Sequence, residues 1–496
     1  MPRIPLEARV TQAVEYDVVV LGGGPAGENV VDRTRAAGLS TALVEAELVG
    51  GECSYWACIP SKALLRPALA RADARRVPGL AGAVGGPLEA RAVFDHRDYW
   101  TGGWKDGGQL DWLASIGAHL HRGHGRLAGE RRVAVEGAEG EHLLLSARHA
   151  VVVATGSRAI VPPLPGIAGA RPWTSREATS AHRVPPRLLV VGGSVVAAEM
   201  ATAWQALGSQ VTVLARGERL LPRMEPFAGE LVAEALREAG AVVRTGVSAE
   251  AVVRDAADGP VRVVLEGGEI LEGDELLMAT GRAPRTEDIG LDTVGLEPGG
   301  WISVDEGLRV PGHDWLYAVG DVNHRALLTH QGKYQARIAG AAIAARAAAG
   351  TAAPDGAAAA AAAEPWGAHA ATADTRALPQ AVFTDPEAAA VGLTLAEAER
   401  AGYRARAVDH DLGAVSGAGL YADGYRGRAR MVVDLDREVL LGATFVGAGA
   451  AELVHAATIA VAGEVPIARL WHAVPAFPTI SEVWLRLLEA YRDQGD

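Results

Sequence analysis

A series of short apolar runs, each closed by a small or polar residue, sets the pattern of this chain. In the first, Tyr16-Asp17-Val18-Val19-Val20-Leu21, the apolar stretch is uninterrupted after Asp17 and closed by glycines, as expected of a strand buried in a parallel sheet. A glycine turn, a helix-length segment and a second strand, Thr41 to Val44, follow in order and end at Glu45. The same pattern restarts at Arg187. Leu188–Val191 reads as a strand, Gly192–Ala197 as a turn, and Val211–Leu214 as the next strand. Val151–Val153 and Leu276–Met278 are apolar strands that both run into Ala-Thr-Gly and then into proline-containing loops. Leu316–Val319 exits through Gly320-Asp321, and Leu328-Thr329-His330-Gln331 then opens an apolar helix. Strands alternating with helical segments predict an α/β chain.

The turn Gly22-Gly23-Gly24-Pro25-Ala26-Gly27 stands directly after a strand and before a helix, with an acid 23 positions beyond Gly22. That is the context a dinucleotide-binding turn requires: Gly22 for the tight bend, Gly24 for close pyrophosphate approach, Gly27 for helix packing, and Glu45 for a ribose hydroxyl. The second copy, Gly192-Gly193-Ser194-Val195-Val196-Ala197, has a serine where the middle glycine is expected, and Ala215 where the acid should end the strand. Arg216 and Arg219 lie just beyond. Without a carboxylate to repel a 2′-phosphate, and with arginines to meet one, this site leans to NADPH over NADH. Two nucleotide sites imply two cofactors, or one cofactor and one co-substrate.

From Ala341 to about Leu378 the composition collapses to alanine, which reads as a surface insertion or linker. A last domain begins near Pro379, with strands around Ala381–Phe383, Ala429–Leu435 and Glu438–Val446 and a helix from about Ile480 to Tyr491. The net charge of -13 and the lack of a basic run exclude a nucleic-acid or anionic-membrane surface as the partner. Met1 to Glu15 has no apolar core of signal-peptide length, and no stretch is long and apolar enough to span a bilayer, so a cytoplasmic location is expected.

The only two cysteines, Cys53 and Cys58, fall in Gly50-Gly51-Glu52-Cys53-Ser54-Tyr55-Trp56-Ala57-Cys58-Ile59-Pro60-Ser61-Lys62. Residues five apart do not face one another on a regular helix, so they form a disulfide ring only where the helix is distorted. The alternative is two buried structural cysteines; zinc is disfavoured because no second Cys/His pair is available, and no metal is expected. In a reducing compartment a lone pair points to catalysis or redox sensing. Lysine occurs only at Lys62, Lys105 and Lys333 among 47 basic residues, so a lysine beside the pair is informative.

Together these residues resemble the flavin-dependent pyridine nucleotide-disulfide oxidoreductases, over nearly the whole chain from Tyr16 to Tyr491. The resemblance implies two Rossmann-like dinucleotide-binding domains, for FAD and NAD(P), plus an α+β C-terminal dimerisation domain. The implied division is 1–160 and 288–345 for FAD, 161–287 for NAD(P), 346–378 for the insertion, and 379–496 for dimerisation. Gly22, Gly24, Pro25, Ala26, Gly27, Glu45, Gly51, Thr155, Gly156, Gly320 and Asp321 then resemble the FAD site, with Thr329 and His330 where a helix meets the flavin pyrimidine edge. Gly192, Gly193, Ser194, Val195, Val196, Arg216, Arg219 and Gly281 fall in the NADP site, NAD being the alternative. Cys53 and Cys58 resemble the redox disulfide, Cys58 facing the flavin and Cys53 exchanging with substrate. Lys62 and Glu199 resemble the Lys/Glu pair near the flavin N5 and nicotinamide. Residues from Pro379 onward, including Phe383-Thr384-Asp385-Pro386-Glu387, resemble the dimerisation domain, implying a homodimer with active sites shared across its interface.

One departure bears on the reaction. The family's thiol reductases carry His-Pro-Thr-x-x-Glu near the C-terminus, the His as acid-base catalyst and the Glu orienting it; here the segment is Phe477-Pro478-Thr479-Ile480-Ser481-Glu482. A positioned acid-base group contributes about a hundred- to ten-thousand-fold to such exchange. His472 is five residues away. The family's mercuric reductases also lack the histidine but add a C-terminal cysteine pair, absent here. The aromatic Tyr55-Trp56 between the cysteines is expected either to reshape the substrate side of the flavin or simply to pack the helix. Three readings follow: an NADPH-dependent disulfide reductase with an unassigned small-molecule acceptor; a reductase of quinones, dyes or metal ions working from the flavin; and a flavoprotein that senses redox state or serves as a complex subunit.

Overall fold

A computed structural model describes residues 12–349 and 363–494. It divides into two compact units. The first comprises the described residues up to Cys58, then Thr101–Arg158 and Arg282–Asp374; the second comprises Ile59–Trp100, Ala159–Gly281 and the chain from Thr375.

The first unit is built on strand β1 (Gln12–Leu21), whose Val18, Val19 and Val20 are fully buried, as the unbroken apolar run requires. Helix α1 (Pro25–Ala36) carries the chain over to β2 (Thr41–Glu45), which pairs with β1 in parallel, Val18 opposite Thr41 and Leu21 opposite Val44. On the other side β1 pairs in parallel with His142–Val153, which in turn pairs in parallel with Leu316–Ala318. The C-terminal ends of these strands therefore gather at one edge, where Gly22, Glu45, Ala154 and Gly320 follow them. Ligands of open parallel sheets bind at that edge. The helix Thr329–Ala349 runs along α1, with Gly340 packed against Arg33 so closely that an added Cβ would lie 2.6 Å from the Arg33 Cβ.

The second unit holds the other parallel sheet, ordered Val242–Thr245, Gln210–Ala215, Arg187–Val191, Glu275–Met278. It also holds a five-stranded antiparallel sheet formed by Pro379–Val382, Glu387–Gly392, Val439–Gly447, Arg428–Asp434 and Ala405–Asp411. The C-terminal helix expected from Ile480 begins instead with a 3-10 turn, Ile480–Glu482, and becomes α-helical at Val483.

Of the alanine-rich stretch expected as insertion or linker, residues 350–362 lie outside the described residues, and 346–349 finish the long helix. Beyond it Ala370 and Ala371 are buried, and Asp374 accepts hydrogen bonds from Gln331 (3.0 Å), Gln335 (2.9 Å) and Arg325 (2.9 Å). Gln335 passes that order on, its Oε1 accepting from the Gly320 N–H at 2.7 Å. Composition alone gives no hint that this stretch fastens the Gly320-Asp321 exit.

Candidate active site

In the first unit, the turn after β1 is shaped by what its glycines exclude. A Cβ on Gly22 (φ +101°) would meet the Ala154 carbonyl oxygen at 2.4 Å, and one on Gly27 the Gly22 oxygen at 1.9 Å. Gly24, the N-cap of α1, differs: nothing lies within 4 Å of a Cβ there, and no side chain caps the helix. Its first N–H groups therefore open onto free space, as close pyrophosphate approach needs. Pro25 and Ala26 begin the helix, the proline fitting a position that has no N–H to lose. The Glu45 carboxylate accepts from the Gly23 N–H (2.6 Å) and the Glu47 N–H (2.7 Å), so it fastens the turn as well as ending the strand. Each oxygen keeps a lone pair for a further donor.

The opposite wall is polar. Thr155 Oγ1 is buried without a hydrogen-bond partner. Gly156 takes the left-handed conformation (φ +71°), and Asp321 accepts from Ser157 Oγ at 2.5 Å while Arg282 Nε donates to the same Oγ at 2.6 Å. Burial pushes the Asp321 carboxyl up, with the Ser157 hydrogen bond and the Arg282 charge pulling it back. Glu52 pairs with Arg285 at 3.0 Å. A helix end with open space before it, an orphaned buried hydroxyl and a half-buried acid fit an FAD's phosphates and hydroxyls. Ser157, Arg282, Arg285 and Glu52 were missed as site residues; the one available signal was that Ser157 and Arg282 each directly follow an Ala-Thr-Gly.

Helix α2 (Gly51–Tyr55) stops after one turn, Trp56 leaves helical geometry at φ -137°, and helix α3 (Cys58–Arg75) begins anew. This break is the distortion that the five-residue spacing demanded. It brings the thiols of Cys53 and Cys58 within hydrogen-bonding reach of each other, and Cys58 Sγ also lies 3.3 Å from Thr329 Oγ1. The Cys58 sulfur beside it and burial together push the Cys53 thiol far up. His330, next to Thr329, is exposed. Tyr55 proves to be packing: it is buried, and its hydroxyl donates to the Val49 carbonyl at 3.1 Å. Trp56 remains partly exposed.

Gly51 holds α2 against α1, at φ +57° with an added Cβ only 2.8 Å from the Gly24 Cα. The Gly51→Ala substitution should therefore cost about 1–3 kcal/mol in backbone strain. The expected result is a lower thermal midpoint and less FAD retained at purification, read by calorimetry and by absorbance.

In the second unit, Gly192 (φ +141°) and Gly193 form the turn before the helix Val195–Ala206, with Ser194 as an extended N-cap whose hydroxyl makes no capping bond. Gly281 is likewise left-handed, at φ +134°. Arg216 and Arg219 are exposed and make no ion pair among the described residues, and Glu218, also exposed, sits between them. The Leu221 N–H donates to the Gly193 carbonyl at 2.7 Å, folding this arginine loop back onto the turn. Lys62 Nζ lies 2.7 Å from Glu199 Oε2, the Glu199 side chain being only 4% exposed. Its other oxygen accepts from the Phe383 N–H at 3.0 Å, and the Lys62 ammonium sits 5.0 Å from the Phe383 ring centroid. Phe383 is thus a second holder of the pair, which its place in the C-terminal sequence concealed.

Also in the second unit, Phe477 is 73% exposed, and its ring offers no proton. Glu482 is buried; Oε1 accepts from Arg486 at 2.5 Å, but Oε2 has no partner. His472 is exposed. Among the described residues no cluster of three or more His, Cys, Asp or Glu side chains is arranged to hold a metal, and no helix is long and apolar enough to cross a membrane.

The sequence profile of the pyridine nucleotide-disulphide oxidoreductases matches residues 16–348, and that of their dimerisation domain matches residues 378–487. The chain belongs to this family. It is an FAD-dependent oxidoreductase that uses a pyridine nucleotide, and its dimerisation domain supports a homodimer. Among curated relatives it is 33% identical to a dihydrolipoyl dehydrogenase of Thermus scotoductus, covering 97% of this chain and 98% of that one. It is 29% identical to a mercuric reductase of Staphylococcus aureus, covering 94% and 81%. The fold of LpdA from Mycobacterium tuberculosis superposes with a TM-score of 0.79 at 25% identity, covering 98% of this chain and all of that one. RclA, an HOCl-induced flavoprotein disulfide reductase of Escherichia coli, shares the fold at 23% identity and a TM-score of 0.78, covering 96% and 99%.

Proposed function

We propose that the enzyme draws electrons from NADPH and passes them through a Cys53–Cys58 disulfide to a small-molecule disulfide. The observation that carries this reading is the break between α2 and α3, which brings the two thiols together in the unit that also holds the FAD cradle. Gly22, Gly24, Pro25, Ala26, Gly27, Glu45, Gly51, Thr155, Gly156, Asp321, Thr329 and His330 would hold FAD, with Gly320 shaping the exit. Bound FAD supplies the two-electron chemistry between a nicotinamide and a disulfide that side chains lack. Gly192 to Val196 and Gly281 would hold the nicotinamide nucleotide, and Lys62 with Glu199 would order its reacting end. The five-part division of the chain, with 161–287 for this nucleotide, belongs to the same reading. So do active sites shared between the chains of the homodimer, and a cytoplasmic setting, since a dithiol that must cycle needs a reducing compartment.

The preference for NADPH rests on Ala215 at the strand end and on two unpaired arginines, against which Glu218 is the one opposing charge. Charge-assisted contacts to a phosphate are worth about 1.5–3 kcal/mol. Replacing Arg216 and Arg219 by Gln should accordingly raise KM for NADPH roughly tenfold to a hundredfold while moving that for NADH less than about twofold. Steady-state kinetics with both nucleotides check this.

A second reading is favoured by Phe477: electrons leave for a quinone, dye or metal ion, which needs no histidine acid. Alkylating the NADPH-reduced enzyme separates the two. The proposed function requires that alkylation abolish NADPH oxidation with an aromatic disulfide as acceptor; undiminished disulfide turnover would refute it.

A further inference from the structure

The histidine that would activate the exchanging thiol is missing, yet Cys53 is the sulfur that burial and its neighbour hold in the protonated form. The helix Thr329–Ala349 starts on the cysteine pair, with Thr329 Oγ1 3.3 Å from Cys58 Sγ. Lys333 is one turn further along, on the same face of that helix. Its neighbour Gly332 seats the helix against the start of α1, an added Cβ lying 3.4 Å from the Ala26 Cβ and 3.3 Å from the Gly320 Cα. Lys333 is exposed and has no carboxylate within 4.0 Å among the described residues, so no ion pair holds its ammonium. We propose that Lys333 is the cation that favours the Cys53 thiolate, doing electrostatically on this subunit what the family's histidine does from the other. This inference rests on the disulfide reading above.

The surroundings agree. The two influences that favour the Cys53 thiolate are a hydrogen bond from Thr329 and the Lys333 charge. Facing Lys333 is Glu28 of α1, pushed up to about 7 by burial, with Lys333 pulling it down and Glu45 adding to the rise. Of the other ionisable groups nearby, Glu52 is held by Arg285, Tyr55 is pushed up to about 12 by burial, and His330 sits beside Thr329 on the exposed end of the helix. Glu28 therefore ionises as pH rises through neutrality and then draws on the Lys333 charge.

In the exchange, the Cys53 proton passes to water and the thiolate attacks one sulfur of the substrate disulfide. A Cys53–substrate bond forms, the substrate S–S bond breaks, and the first thiolate leaves to take a proton from water. Cys58 then attacks the Cys53 sulfur and expels the second thiolate, which is protonated likewise, and the pyridine nucleotide supplies the two electrons that reopen the Cys53–Cys58 bond. Lys333 takes no part in these proton transfers and acts as a positioning residue.

The test is the rate of Cys53 alkylation by iodoacetamide in the NADPH-reduced holoenzyme, followed by mass spectrometry from pH 6 to 9.5. Lys333→Met should react about tenfold more slowly at pH 7.5, with its profile displaced to higher pH, and Lys333→Arg should stay within about twofold of the parent. Glu28→Gln should be about two- to threefold faster above pH 7, because nothing then draws on Lys333. A Lys333→Met profile that coincides with the parent overturns this inference while leaving the disulfide reading intact. If NADPH fails to expose any alkylatable Cys53 in the parent, the disulfide reading falls, and this inference with it.

Discussion

Replacing Cys53 by Ser is expected to lower disulfide-dependent NADPH oxidation by roughly a thousandfold or more, as loss of a nucleophile does elsewhere, while quinone reduction persists. The hydroxyl is isosteric but far too weak an acid to supply the attacking anion. Cys58, 3.3 Å from Thr329, cannot substitute for it, because it is the sulfur that must afterwards resolve the mixed disulfide. The variant should fold normally, since Cys53 sits within a single helical turn and not in a core cluster. Parallel assays with an aromatic disulfide and with a naphthoquinone read the outcome, and equal losses with both acceptors would count against a role confined to exchange.

The second large effect runs in the opposite direction. Phe477→His should raise disulfide turnover at least tenfold, against the roughly hundred- to ten-thousand-fold that a fully positioned acid-base group contributes. The reason lies in what the segment has kept. Glu482 remains buried, with one oxygen bound to Arg486 and the other without a partner, so an imidazole N–H has an acceptor waiting. Burying a carboxylate oxygen unpaired is costly, which makes the restored contact favourable for stability as well as for rate. The variant's pH profile should gain a limb in the histidine range, and adding Glu482→Gln should remove most of the gain. No increase in Phe477→His would mean that this loop does not serve the exchange at all.

What was legible in the sequence was whatever one short stretch encodes. The first turn could be read because Gly22, Gly24 and Gly27 meet their steric demands within a few residues, and the cysteine pair because residues five apart can face one another only where the helix is distorted. The strands announced themselves as unbroken apolar runs because both faces of a parallel sheet are buried. What stayed hidden depends on residues far apart in the chain. Asp374 orders Gly320 through Gln335 from inside an alanine-rich stretch, Phe383 holds Glu199 through a backbone N–H that carries no residue-specific signal, and Glu52 meets Arg285 across more than two hundred positions. Tyr55 looked like part of the substrate face because aromatic residues suit both packing and recognition; only its buried hydroxyl bond to Val49 decides between them. Lys333 drew notice as a rare lysine, but its relation to the thiols depends on how the long helix is seated against α1.

Anaerobic titration of the oxidised holoenzyme with NADPH tests the central claim most directly. If the cysteine pair is in circuit, the first two electrons should leave the flavin absorbance largely intact, add a long-wavelength thiolate-to-flavin band and expose two thiols per chain, with further reductant needed to bleach the flavin. Bleaching of the flavin by the first equivalent, with no such band and no new thiols, would contradict it.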